Sequence, residues 1–243
     1  MILMDQYAEY ICSAIQSIRQ QQRDKILQAA QMVKKTLAQN GLIYIFGCGH
    51  SHILAEEAFY RAGGLANVVP VFYEPLMLHK GAAESSRLER QPGLAEKVLE
   101  KYHITAEDLF ICISTSGINA VPVEVAEVVH SQGIPTVAIC SSAYFASPTN
   151  SPNGKHLYEA AYLWLDNLAP HGDATLSLSG TVRMAPLSTI TGAFLLNVIL
   201  AEGSAQALEE GIAPPVYRSG NIPGGAEFNR ALVSRFRLRN RHL

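Results

Sequence analysis

The sequence predicts an α/β fold: five parallel strands in one sheet, with helices on both faces. Two observations carry this. Short runs such as residues 42–46 and 109–113 are continuously apolar and rich in β-branched and aromatic side chains, as strands buried on both faces are. Segments of helical periodicity alternate with them, the order expected of a sheet built from crossover units. A length of 243 residues suits one such domain with a sizeable core.

Taken in order, residues 5–40 read as one long helix. Tyr7, Ile11, Ala14, Ile15, Ile18, Ile26, Ala30, Val33 and Leu37 recur at helical spacing, and Asn40-Gly41 is a stop signal. A helix this long exceeds what a small sheet covers, so its surplus apolar stripe is expected to pack on the same helix of a second subunit. Residues 42–46 are the first strand and 50–61 a helix, broken by Gly63-Gly64. Residues 68–73 are the second strand, and 74–91 a long polar loop of the kind that is functional or disordered. A short helix over 92–102 precedes the third strand at 109–113. A helix over 118–132, a fourth strand at 135–140 and a fifth at 162–165 follow. Another loop runs to Pro186, then an apolar helix over 187–208. The Pro- and Gly-rich tail is expected to be irregular, with Arg235, Arg237, Arg239 and Arg241 solvated. One domain thus divides into an N-terminal oligomerisation helix (1–40), a sheet core (41–210) and a tail (211–243).

Composition narrows the function. An apolar fraction of 48% and a charged fraction of 16% suit a compact globule whose surface is partly covered by a partner. A formal charge of −2 gives no electrostatic case for nucleic acid or an anionic membrane. Nothing near Asp5 and Glu9 resembles a signal peptide, and the longest apolar stretch, residues 193–201, falls short of the roughly 20 residues of a membrane span. Cys12, Cys48, Cys112 and Cys140 show neither CxxC spacing nor clustering. A cytoplasmic protein with free thiols is expected, with no cofactor and no metal. His50 and His52 face different directions on a helix. His52 and Glu56, one turn apart, are the one pairing at metal-ligand spacing.

Two turns carry the chemistry. After the first strand, Gly47-Cys48-Gly49-His50-Ser51 leads into a helix, presenting free backbone N–H groups, a helix dipole and a hydroxyl to an anion. It is not a P-loop, for no Lys follows Gly49, and the third glycine of a dinucleotide fingerprint is replaced by His52. Glu74, near the end of the second strand, leaves a ribose-binding reading open. After the third strand, Ser114-Thr115-Ser116-Gly117-Ile118-Asn119 again joins a buried strand to a helix. Its hydroxyls could be simple N-caps. In a doubly wound sheet, however, the ends of the first and third strands are neighbours at the switch point where ligands bind. Neither turn contains Lys or Arg, so the anion would be held by main-chain amides and hydroxyls alone.

These paired turns resemble the signatures of the sugar isomerase (SIS) domain family, over about residues 5–229. Stand-alone bacterial members share the stretches Phe59-Tyr60-Arg61-Ala62-Gly63-Gly64 and Pro223-Gly224-Gly225. The resemblance implies a flavodoxin-like three-layer αβα sandwich and a homodimer or homotetramer with sites near subunit boundaries. It implies a sugar phosphate ligand held by Gly47, Gly49, Ser51, Ser114, Thr115 (through its N–H), Ser116 and Asn119. The chain is similar to phosphoheptose and arabinose-5-phosphate isomerases, implying aldose–ketose isomerisation through an enediolate. That chemistry needs a base between neighbouring carbons and an acid/base group between the two oxygens. By register with arabinose-5-phosphate isomerases, Asp173 is the candidate base, and His79 or His171 the second group. Glu57 and Glu56, just past the first turn, are further candidates whose plainer reading is a solvated helix face. The alternatives are a non-catalytic phosphosugar sensor and an etherase acting on amino-sugar phosphates.

Overall fold

The computed structural model describes residues 2–243. Five parallel strands form the sheet: β1 (Ile43–Gly47), β2 (Val68–Val71), β3 (Leu109–Ile113), β4 (Thr136–Cys140) and β5 (Leu163–Asp166). Their order is β2-β1-β3-β4-β5. β1 and β3 pair directly, from Ile43 with Leu109 to Gly47 with Ile113, so the two candidate turns leave the sheet side by side. The direction of the chain reverses between them, which puts the switch point there.

Strand alternation divides the core in two. Tyr44, Phe46, Phe110 and Cys112 face one layer, with α5 (Ala95–Leu99), α6 (Ala120–Ser131) and α7 (Leu157–Ala160). Ile43, Ile45, Ile111 and Ile139 face the other, with α2 (Arg23–Ala38), α3 (His52–Ala58) and α8 (Ser188–Glu209). Each large apolar side chain so buried contributes about 1.5–3 kcal/mol. α2 and α8 pack closely because Gly203 has no side chain; a Cβ there would lie 2.5 Å from Cβ of Val33. α8 has the length and apolarity of a membrane span, yet Leu195, Leu196 and Ile199 are buried within the domain.

Several sequence expectations are corrected. The single helix over 5–40 is two, α1 (Leu3–Gln21) and α2, interrupted at Gln22. The buried Gln22 side chain donates to Asp166 O and accepts from Asp166 N, each at 2.6 Å, a demand that periodicity does not register. The apolar stripe of α2 packs on the protein's own α8; only α1 is left largely uncovered. The loop over 74–91 contains two 3₁₀ turns and α4 (Ala82–Glu89), where the Ser85 hydroxyl donates to Leu76 O at 2.7 Å. The segment before Pro186 is an antiparallel hairpin, β6 (Ala174–Ser179) and β7 (Val182–Pro186).

The tail, finally, is not irregular. It carries α9 (Gly225–Phe236), whose Phe236 is buried in the first core layer. Nor is its basic run simply solvated. Arg239 donates to both carboxylate oxygens of the fully buried Asp108 at 2.8 Å, and Arg235 to Asn40. Asp108 also accepts from Leu42 N and Thr105 N, which ties the tail to the entry of β1 and β3.

Candidate functional site

A cavity of about 500 Å³ opens at the carboxyl end of β1 and β3. The first turn enters it through Cys48, Gly49, His50 and Ser51, the second through Ser114, Thr115, Ser116 and Asn119. Ser85, Ser86 and Glu89 come from α4, and Tyr144, Asp173, Ser188 and Thr189 complete the wall. No Lys or Arg lines it. The N-termini of α3, α6 and α8 all begin beside it, so their positive dipole ends and free N–H groups border the cavity without a cationic side chain.

The first turn depends on its glycines. A Cβ at Gly47 would lie 2.6 Å from the backbone carbon of Ser51, so Gly47 shapes the turn from beneath while the cavity surface begins at Cys48. Gly49 adopts a left-handed φ of +54°, which other residues reach only with strain. His52 is buried with Nδ1 against Gly49 O, fixing the start of α3. The Ser51 hydroxyl has no partner among the described residues, and Ser51 lines the cavity.

In the second turn the polar groups divide their tasks. Ser114 Oγ accepts from Gly117 N at 3.3 Å, and Thr115 Oγ1 accepts from Asn167 at 3.4 Å, so both hold the turn in shape. The Ser116 hydroxyl, half-buried, is left free like that of Ser51. Asn119 is committed at both ends: Nδ2 donates to Glu89 Oε1 at 2.9 Å and Oδ1 accepts from Asn150 at 3.0 Å.

Glu89 is the residue that sequence reasoning missed. Burial pushes its carboxyl above the usual carboxylate range, partly offset by the Asn119 hydrogen bond and by Arg90. Its Oε2 approaches the first turn, 3.9 Å from where a Gly49 Cβ would stand, and has no hydrogen-bond partner among the described residues. One oxygen is thus anchored and the other faces the cavity.

The expected catalytic residues are scattered by comparison. Asp173 lines the cavity, but its carboxylate accepts from Leu187 N at 3.0 Å, Ser188 N at 2.9 Å and Ser188 Oγ at 2.6 Å. It caps the start of α8. Glu57 lies on an exposed face of α3, paired with Arg61 and outside the cavity. His79 lies in the turn Leu78–Lys80 and borders a different hollow, with Phe72, Lys101 and His242; its ring centroid is 6.3 Å from that of His52. His171 stacks on Tyr144 at 4.6 Å. His50 is the histidine that lines the cavity itself. Among the described residues no three His, Cys, Asp or Glu side chains gather as metal ligands.

Comparison with known proteins places the chain in a family and agrees with the fold. A family model described as "SIS domain" matches residues 6–141. A UPF0309 protein of Geobacillus thermodenitrificans is 44% identical over 239 residues, covering 98% of this chain and 96% of the relative. A UPF0309 protein of Caldanaerobacter subterraneus is 38% identical over 246 residues, covering 99% and 100%. Among solved structures, the sugar isomerase domain of an RpiR transcription factor from Sphaerobacter thermophilus superposes with a TM-score of 0.50 at 16% identity. It covers 85% of this chain and 92% of that one.

Proposed function

This chain belongs to the SIS domain family, and on that premise we propose that its cavity binds a sugar phosphate and interconverts the aldose and ketose forms. The observation that carries the reading is the convergence of the free Ser51 and Ser116 hydroxyls with a raised-pKa carboxyl, Glu89, in one cavity. The phosphate lies across the two turns, accepting from both hydroxyls and from main-chain N–H groups at the helix starts. About four charge-assisted hydrogen bonds of roughly 1.5–3 kcal/mol each support micromolar binding, suited to a metabolite that must also leave.

Glu89, rather than Asp173, supplies the base. The Asp173 carboxylate has its lone pairs taken up by three donors, whereas Glu89 keeps one oxygen free and is a strong base once ionised. Glu89 removes the proton from the carbon beside the carbonyl and returns it to the neighbouring carbon through the enediolate. His50 moves the proton between the two oxygens. Asn119 orients Glu89, and Asp173 holds the start of α8 against the cavity.

The test is solvent-deuterium exchange into candidate pentose, hexose and heptose phosphates, followed by NMR. Label at C1 or C2 supports isomerisation. Loss of a side chain identifies an etherase instead, and binding with neither identifies a sensor. The uncovered face of α1, with exposed Leu3, Met4 and Tyr10 beside Leu178, Val182 and Met184 of the hairpin, is the surface through which copies would associate. Sedimentation of a Met4→Glu, Tyr10→Glu variant as a smaller species than the parent chain is the expected outcome. An unchanged size argues against this surface.

A further inference from the structure

Residues 60–62 and parts of the tail between 217 and 234, separated in sequence by more than half the chain, meet in the fold around a second cleft of about 540 Å³. Its wall combines Tyr60 and Arg61, just past the end of α3, with Tyr217 and Arg218 of the tail and Asn229 and Arg230 of α9. It shares no residue with the SIS cavity. The tail is held to this edge by main-chain bonds from Gly63 N to Tyr217 O and from Tyr217 N to Gly64 O, each 2.9 Å.

Three guanidinium groups line the cleft and no carboxylate does. Arg61 is paired with Glu57 of α3. Arg218 and Arg230 have no carboxylate partner among the described residues; Arg218 lies over the Phe228 ring at 3.9 Å, and Arg230 is exposed. Guanidinium groups gathered without acids repel one another unless an anion joins them. Independent of charge, the Tyr217 hydroxyl is buried with no partner, a deficit that folded proteins rarely tolerate. Burial raises its pKa to about 12, so it remains an O–H donor at neutral pH. The exposed Tyr60 ring lies edge-on to it, 5.1 Å between centroids, on a backbone held at a left-handed φ of +44°. A bulky residue takes up that conformation only where the surroundings impose it.

From Arg218 and Arg230, two arginines without a carboxylate partner, and the unpartnered Tyr217, we propose that this cleft is a second anion site, which takes the phosphate monoester group of a small metabolite. The dianion accepts from the forks of Arg218 and Arg230, a geometry that suits phosphate. Tyr60 swings from Tyr217 to lie against the carbon portion, and the freed Tyr217 hydroxyl donates to the ligand. The two anion sites then differ in kind, one neutral and one cationic.

Inorganic phosphate is the probe, titrated calorimetrically into the full chain at low and raised salt. The Ser116→Ala chain, weakened at the SIS cavity, is expected to retain one phosphate site whose affinity falls steeply with salt. Adding Arg218→Gln and Arg230→Gln to it should weaken that site at least tenfold at an unchanged melting temperature, since both arginines are exposed. A Ser116→Ala chain that shows no salt-sensitive phosphate binding overturns the proposal, and so does salt-sensitive binding that survives loss of both arginines. If the double arginine variant instead dissociates an oligomer that binds no phosphate here, the cleft is a subunit contact and the proposal fails. Failure at the SIS cavity alone would leave the salt-sensitive site in place, so the two readings are separable.

Discussion

Two carboxylates reach the SIS cavity from different walls, and their surroundings are unlike. Asp173, between the hairpin and α8, is covered by three donors and serves the backbone. Glu89, at the end of α4, has one oxygen held by Asn119, and burial disfavours its charged form. Position beside a ligand is therefore not enough to make an acid catalytic. What matters is whether its lone pairs are still available once the fold has formed.

The contrast can be broken most directly at Glu89. Glu89→Gln keeps the shape and the Asn119 contact but cannot accept a proton, so exchange into a sugar phosphate should fall by about 10²–10⁴ with binding retained. Full exchange in that variant would transfer the role elsewhere. Ser116→Ala should weaken phosphosugar binding by about 1–3 kcal/mol, read as a dissociation constant, through loss of a donor to a charged oxygen. Asp173→Ala should act on stability instead, lowering it by about 0.5–2 kcal/mol in denaturant unfolding through loss of the α8 cap. A Glu89-sized loss of exchange at wild-type stability would reverse the two assignments.

Stability against pH sharpens the same comparison. A carboxyl whose pKa is raised on folding stabilises the fold fully below its unfolded value, and that contribution is lost as pH rises through the folded value. Unfolding curves across that window should show stability declining in the parent chain, and Glu89→Gln should remove that part of the slope. The smallest effect is expected at Glu57: Glu57→Gln, on an exposed face, should stay within about 0.5 kcal/mol in stability and leave exchange unchanged.

The strands and both anion-binding turns were legible because each is a local pattern, a buried run followed by glycines and hydroxyls ahead of a helix. Ser51 and Ser116 share a cavity because β1 pairs with β3, which strand–helix alternation anticipates. Glu89 was hidden for the opposite reason. Its helix has little apolar face, with Leu88 the one large aliphatic side chain, so it reads as loop, and only tertiary packing brings it to the cavity. The sole hint was the Glu84–Arg87 pairing at helical spacing. The tail misled in the same way: its glycines and prolines concealed α9, and nothing near Arg239 in sequence points to Asp108, 131 positions away. Asp173 lines the cavity, and its partners Leu187 and Ser188 become visible only once the hairpin closes.

The Gln22 side chain has one more effect. β5 ends the sheet, and a terminal strand offers unpaired peptide groups to any passing chain. By meeting both the amide and the carbonyl of Asp166, a glutamine carboxamide imitates one peptide of a sixth strand and closes the last rung of that ladder. The break between α1 and α2 thereby doubles as a plug against strand addition at this free edge of the sheet.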